Sequence, residues 1–401
     1  MRNKTFGSAL IVAGTTIGAG MVSMPLTSAG MGFGLTLLLL VILWALLAYS
    51  ALLFVEVYQK AERRDAGIAT LAEQYFGMAG RALATVALVV FMFAILTVYV
   101  LMSSDLISTV LPSLREYGQE ISIIFTVFFG IFIIAGTGKV DLATRMLFIA
   151  KLAALVVLLF FMLPKVTMEN LMALPLDKAL LISASPYFFT SFGFHVVIPS
   201  INSYLEGDIK RLRIAILGGT ALPLFVYILW QMATHGVLSQ TEFIQILNND
   251  PTLGGLVIAV TQITGSEMIG WSVRLFSLFA LATSFLGVAL ALFDCLDDLL
   301  QRVNIHAGRI ALGMFTFLPT LFFALFYRDF LAVLALAGQM FTFYGLILPV
   351  GMAWMVRKRY PDLPYRVKGG NITLLLALIL GLLIMNVPFL IDMGYLPKVI
   401  G

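Results

Sequence analysis

The sequence predicts an all-α polytopic membrane protein with eleven transmembrane helices, and three observations predict it. Mean hydropathy is +1.01, with 61% of the 401 residues hydrophobic and 11% charged. A soluble domain carries roughly 25% charged residues, so a chain this apolar lacks the polar surface to cover itself in water. Uncharged stretches near the ~20 residues that cross a bilayer recur along the whole chain. Finally, Lys and Arg gather in alternate connecting segments, as membrane topology demands.

The spans follow in order at about 6–30, 33–58, 82–111, 120–137, 142–163, 179–203, 214–238, 272–296, 308–327, 330–356 and 371–392. Two turnarounds are short, Gly30 to Gly32 and Arg328-Asp329, and the total apolar length forbids reading either pair as one helix. With the N-terminus in the cytoplasm, 18 of the 25 Lys and Arg fall in inner segments, from Arg2 and Lys4 through Lys139 to Lys368. Six, including Arg115 and Arg328, fall outside, and only Lys151 lies within a span. The positive-inside rule then places the C-terminus outside. The longest outer segment, 239–271, contains neither Lys nor Arg.

The formal charge of +4 does not point to nucleic acid, because the basic residues sit in short loops between apolar spans. The single cysteine, Cys295, excludes an intrachain disulfide. Arg2 and Lys4 precede an apolar span, but no clear small-residue processing site follows, and no cleavable signal peptide is expected. The sequon Asn371-Ile-Thr373 falls on the inner side and reads as chance.

Two spans carry helix-breaking residues. The first contains Gly14-Thr-Thr-Ile-Gly18-Ala-Gly20 followed by Pro25. Each glycine weakens a helix by about 1 kcal/mol relative to alanine. The sixth holds Pro186 and Pro199 on either side of Thr190-Ser-Phe-Gly-Phe-His195. Close helix packing through Gly14 and Gly18, and a kinked structural helix, are the plain readings. Interrupted spans at corresponding places in two halves instead point to a transporter site. They predict a 5+5 inverted repeat (about 6–163 against 179–356) with one additional helix, 371–392, all in a single domain. Unwound backbone at membrane depth must line a cavity. N–H groups near Gly18, Ala19 and Gly20 would face a carboxylate, and carbonyls near Thr15 and from Phe189 to Phe192 would face an ammonium. That pair of features suits an amino-acid zwitterion.

The segment Gly7-Ser-Ala-Leu-Ile-Val-Ala-Gly-Thr-Thr-Ile-Gly-Ala-Gly-Met-Val-Ser-Met-Pro-Leu26 resembles the opening of the bacterial hydroxy/aromatic amino acid permeases. Thr190-Ser-Phe-Gly-Phe-His195, Leu281-Ala-Thr-Ser-Phe-Leu-Gly-Val-Ala-Leu290 and Tyr365-Arg-Val-Lys-Gly-Gly370 extend the likeness over essentially the whole chain. The resemblance implies a leucine-transporter-like bundle of the amino acid–polyamine–organocation superfamily. It further implies import of an aromatic amino acid driven by the proton gradient, with tyrosine the favoured substrate and no resident cofactor or metal. Tryptophan or a broad aromatic range, and sodium coupling, are the alternatives.

Lys151 matches by span and depth the lysine that stands at the sodium position in proton-coupled members of that superfamily. It lies six residues beyond Arg145, so snorkelling to the interface is the plain reading and proton coupling the functional one. Thr283 and Ser284 resemble the hydroxyl pair that ligates sodium elsewhere, though hydroxyls in membrane spans commonly bond back to their own helix. His195 at the second break is a second candidate for proton coupling or an ordinary satisfied histidine. Phe189, Phe192, Gly193 and Phe194 cluster at that break. Tyr99 and Phe285 come from spans that line the pocket in the implied architecture, Met21 would shape its wall, and Gln339 would reach a phenolic hydroxyl. Asp105 has Arg115 as a prospective partner. Glu56 and Asp294, Asp297 and Asp298 read as solvated helix ends, or as acidic members of an inner gate.

An enzyme is excluded by the lack of a Gly-x-Ser-x-Gly elbow, a His-Glu-x-x-His pair or paired carboxylates, and an ATP-driven pump by the lack of a P-loop lysine motif. A channel or sensor without coupled transport is the remaining rival; a channel would show a repeated short filter, and each half shows a single broken helix instead.

Overall fold

The computed structural model describes residues 4–250, 252–327 and 329–399; Arg2, Arg328 and the side chain of Lys139 lie outside the described residues. All regular elements within that range are helical. Ten helices are long and apolar enough to cross a bilayer, and the bent pair Lys4–Thr16 and Ala19–Thr27 makes the eleventh span. The second to fifth are Gly32–Tyr58, Ile68–Val110, Gly118–Ala135 and Thr137–Met162. The sixth is the segmented stretch Leu180–Tyr204, followed by Ile209–Val237, Glu267–Arg302, Arg309–Phe326, Phe330–Arg359 and Gly370–Asp392.

Three elements depart from the sequence reading. The third helix starts well before residue 82, at Ile68, and Gly77 at φ +66 separates its leading piece from the span proper. The segment 239–271 is not a plain loop but two helices, Gln240–Asn249 and Leu253–Thr264. Ser239 and Glu242 form a capping box at the first, and the Thr252 side chain accepts from the Gly255 N–H at the second. Leu253, Leu256, Val257 and Val260 bury the second helix against the first, third, seventh and eighth spans. The tenth span contains a π-helical turn, Phe343–Ile347. Pro349 has no N–H for the Gly345 carbonyl, and the Ser50 hydroxyl of the second span donates to it instead.

Packing puts the broken spans inside. The leading half of the first span lies on the seventh and its trailing half on the sixth, while the sixth lies on the tenth and second. The eighth helix packs along the third and fifth. Glu56 is not a solvated helix end: it is fully buried, and Arg357 grips both its oxygens at 2.6 and 2.8 Å. The Val367 N–H adds a third bond at 3.0 Å, so one carboxylate joins the second span, the tenth and the link to the eleventh. Arg115 pairs with Asp250 at 3.5 Å.

Candidate functional site

The site grows from the break in the first span. Its leading helix stops at Thr16, Gly18 is extended at φ −145 and ψ −161, and Ala19 restarts a helix bent by 49°. Glycine is needed here for space. A Cβ on Gly18 would lie 2.5 Å from the Ser284 Oγ, and one on Gly20 2.9 Å from the Ser191 Oγ and 3.1 Å from its Cα. The Ala19 N–H donates to that Ser284 hydroxyl at 2.9 Å, so the new helix start is pinned to the eighth span. Tyr99 of the third span also interacts with Ser284.

In the sixth span the helix Ser185–Ser191 ends, Phe192 to Phe194 are non-helical, and a short turn at His195–Val197 leads into Ile198–Tyr204. The Phe192 and Gly193 N–H groups bond back to Phe189 and Thr190 at 3.3 and 3.1 Å, so those carbonyls are spent within the turn. Pro199 fits the first turn of the last piece, where an N–H has no helical partner to lose.

Three side chains from other spans meet the two breaks. The Tyr227 hydroxyl stands 2.6 Å from the Thr16 carbonyl and 2.7 Å from the Ser191 carbonyl. The Trp230 Nε1 donates to the Met21 carbonyl at 3.0 Å. The Lys151 Nζ donates to the Ile17 carbonyl at 2.6 Å, approaches the Thr283 Oγ1 at 3.4 Å and lies 4.8 Å from the centre of the Phe148 ring. Lys151 is 1% exposed, so its ammonium does not snorkel. Its partners are all neutral: a carbonyl, a hydroxyl and a ring face. Thr283 also bonds back to the Phe279 and Ala280 carbonyls.

The structure thus brings Gly18, Ala19, Gly20, Met21, Tyr99, Lys151, Phe192, Thr283 and Ser284 around the breaks. Other expected residues sit elsewhere. The Thr15 hydroxyl bonds back to Ile11 at 2.8 Å, and the carbonyls at the break belong to Thr16 and Ile17, because the helix runs one or two residues further than the glycine pattern suggests. Phe285 packs with Phe125 and Phe129 of the fourth span and Phe317 of the ninth. Gln339 gives its amide to the Met385 carbonyl at 3.0 Å, facing the eleventh span. Phe189, by contrast, stays beside the second break, two residues before the end of the helix Ser185–Ser191, and packs on Phe341, which also stacks on Phe91 and approaches Gly193.

His195 is neither satisfied nor placed among polar groups. It is fully buried, neither ring nitrogen has a protein partner, and Phe54, Phe194 and Phe341 surround it at 5.9, 4.7 and 5.5 Å. Sequence reasoning missed Tyr227, Trp230 and Phe341. A signal existed for the first two: Tyr227, Trp230, Gln231 and Thr234 recur at i, i+3, i+4 and i+7, a polar stripe on one face of an apolar span.

The chain matches the model of the tryptophan/tyrosine permease family over residues 1–388. It is 56% identical to tyrosine-specific transport system 1 of Haemophilus influenzae, with all of both chains covered. It is 57% identical to tyrosine-specific transport system 2 of the same organism, again over the full length of both. Glutamine transporter 2 of Aliivibrio fischeri is 33% identical, over 96% of this chain and 99% of that one.

Proposed function

Since the chain belongs to the tryptophan/tyrosine permease family, we propose that it is a proton-coupled symporter importing L-tyrosine across the bacterial inner membrane by alternating access. It is a multi-pass amino acid transporter, not an enzyme. The tyrosine reading is supported by the step in identity from 56–57% with two tyrosine-specific systems to 33% with a glutamine transporter.

The observation that carries the coupling is Lys151. Its ammonium holds the broken end of the first span to the fifth and eighth at the same point. Rocking of the first span against those helices stretches a 2.6 Å bond that a protonated amine makes more strongly than a neutral one. Proton occupancy and helix position are then coupled. The same observation supports the proton over sodium, because the Thr283 oxygen that would ligate sodium already faces the ammonium.

Substrate is bound between the breaks. Its carboxylate meets the N-terminus of Ala19–Thr27, where helix dipole and N–H groups favour an anion, and its ammonium meets the carbonyls of Thr16 and Ser191. The ring lies among Phe189, Phe192 and Phe341. Inverted repeats of about 6–163 and 179–356, with the eleventh helix outside them, account for the paired breaks. The N-terminus is cytoplasmic and the C-terminus periplasmic, from the distribution of Lys and Arg.

Uptake of labelled tyrosine into proteoliposomes tests this reading. Uptake should follow an imposed proton gradient without sodium and resist excess phenylalanine and tryptophan. A requirement for sodium overturns the coupling, abolition by tryptophan overturns the substrate, and flux that ignores both gradients makes the protein a channel.

A further inference from the structure

Tyr227 is fully buried in the middle of the seventh span and belongs to neither break. Its hydroxyl faces two carbonyls at 2.6 and 2.7 Å, one at the end of each leading half-helix. A phenol carries one hydrogen. It satisfies one of these carbonyls at a time, and the other then meets the lone pairs of the phenol oxygen at a separation that two oxygens hold only with a hydrogen between them. The arrangement is one hydrogen short, in a place where an unmet acceptor costs about 1–3 kcal/mol. Both carbonyls also lie at C-terminal helix ends, where the backbone dipole favours a cation.

The side chain has little room to change this geometry. The Phe192 ring packs on the tyrosine ring at 5.0 Å, and Trp230, one turn on, is anchored to the Met21 carbonyl. The phenol oxygen is held where both broken spans meet it.

We propose that Tyr227 contacts the substrate directly, as an acceptor of its ammonium beside the unmet carbonyl. The ammonium donates one hydrogen to the carbonyl that the hydroxyl leaves unmet and one to the phenol oxygen, while the hydroxyl keeps its own hydrogen on the other carbonyl. The proposal rests on the reading of this chain as an amino acid carrier whose substrate binds between the breaks. It adds a residue from the seventh span to a site otherwise built from the first and sixth. It also assigns that residue to the amine and not to the ring.

The test compares binding of L-tyrosine and of 3-(4-hydroxyphenyl)propionate, which lacks only the amine, to purified wild-type and Tyr227→Phe protein. Loss of the hydroxyl should lower the preference for tyrosine over the deamino acid by about tenfold or more, the scale of one hydrogen bond to a charged group, and leave affinity for the deamino acid within about twofold. Equal weakening of both ligands, or an unchanged preference, overturns the proposal, since a purely structural tyrosine would do either. Wild-type protein that binds another amino acid in place of tyrosine overturns the substrate reading alone, and the same comparison with that amino acid and its deamino form then decides the part of Tyr227. If Tyr227→Phe does not fold, 3-fluorotyrosine placed at 227 keeps the phenol. A fluorine shift on saturation with tyrosine that the deamino acid does not produce supports the contact, and equal shifts overturn it.

Discussion

Lys151 donates to the Ile17 carbonyl and lies against the Phe148 ring, whereas both ring nitrogens of His195 face phenyl groups. The two buried bases therefore stand differently toward a proton. A charged Lys151 has neutral oxygen and ring partners, and a charged His195 would have none, at a cost of several kcal/mol. One proton carried down 100 mV is worth about 2.3 kcal/mol, roughly fiftyfold accumulation of a zwitterion at 1.4 kcal/mol per tenfold. Lys151→Gln should collapse that accumulation to a ratio of about one, while tyrosine binding to the purified protein persists. Retained gradient-driven accumulation in this variant would remove Lys151 from the coupling. His195→Phe should behave in the opposite way. It replaces unmet polar atoms with a ring of similar shape among rings, so thermal stability should be unchanged or higher by about 1 kcal/mol, with accumulation intact. A large fall in melting temperature, or loss of coupling, would show that the imidazole has a polar partner in the working protein.

The broken helices turn on two close approaches that differ in kind. Gly18 is crowded by the Ser284 Oγ at 2.5 Å, with the Ser284 Cβ at 3.7 Å, while Gly20 is crowded by the Ser191 Cα itself at 3.1 Å. Gly18→Ala should impair transport, by about 1–3 kcal/mol of overpacking, and Ser284→Ala in the same chain should restore much of it by removing the oxygen. Gly20→Ala should not be rescued by Ser191→Ala, because the main chain stays where it is. Equal rescue of both, measured by initial uptake rates, would mean that the half-helices are not held at these spacings. The positions of these breaks were legible in the sequence, since glycine triplets and paired prolines act locally. Span number was legible too, because apolar length is local, but the polar extensions of the third and eighth helices beyond their apolar lengths were not. What the breaks touch was not. Whether Gln339 turns to the pocket or to Met385, and whether Phe285 turns to the pocket or to Phe125, depends on helix rotation, which a span apolar on nearly all faces does not record. The helix Leu253–Thr264 was missed for a related reason: at 12 residues it is too short to read as a span, and its capping threonine resembles any loop threonine.

At the scale of the whole molecule, the side chains that join distant segments test the threading of the chain. Lys4 meets Glu206 at 2.8 Å, Arg309 meets the Ile134 carbonyl at 2.7 Å, and Arg357 meets Glu56. Arg115 meets Asp250, and Lys165 meets the Thr264 carbonyl at 2.8 Å. Each partner in the first group is separated from the other by an even number of spans, and so is each in the second. These contacts fit a chain in which each of the first ten helices crosses once, the broken first and sixth spans included. The first group lies on the side rich in Lys and Arg, which the positive-inside rule assigns to the cytoplasm. Cysteine labelling in spheroplasts checks both the count and the direction, in a chain whose lone Cys295 has been changed to Ala. Gln245 follows the seventh span and Lys398 the eleventh, with four crossings between them, so Gln245→Cys and Lys398→Cys should both react with a membrane-impermeant maleimide from outside. Glu62 follows the second span, five crossings before Gln245, so Glu62→Cys should react only after lysis. All three positions are exposed, so reach is not limiting. The reverse pattern would keep the fold and invert its orientation. Reaction of Gln245→Cys and Lys398→Cys from opposite sides would mean that one of the last four helices does not cross; were it the eighth, ninth or tenth, the pairing of Arg357 with Glu56 would have to bridge the membrane, which a 2.6 Å bond forbids, so the eleventh would be the helix that fails to cross.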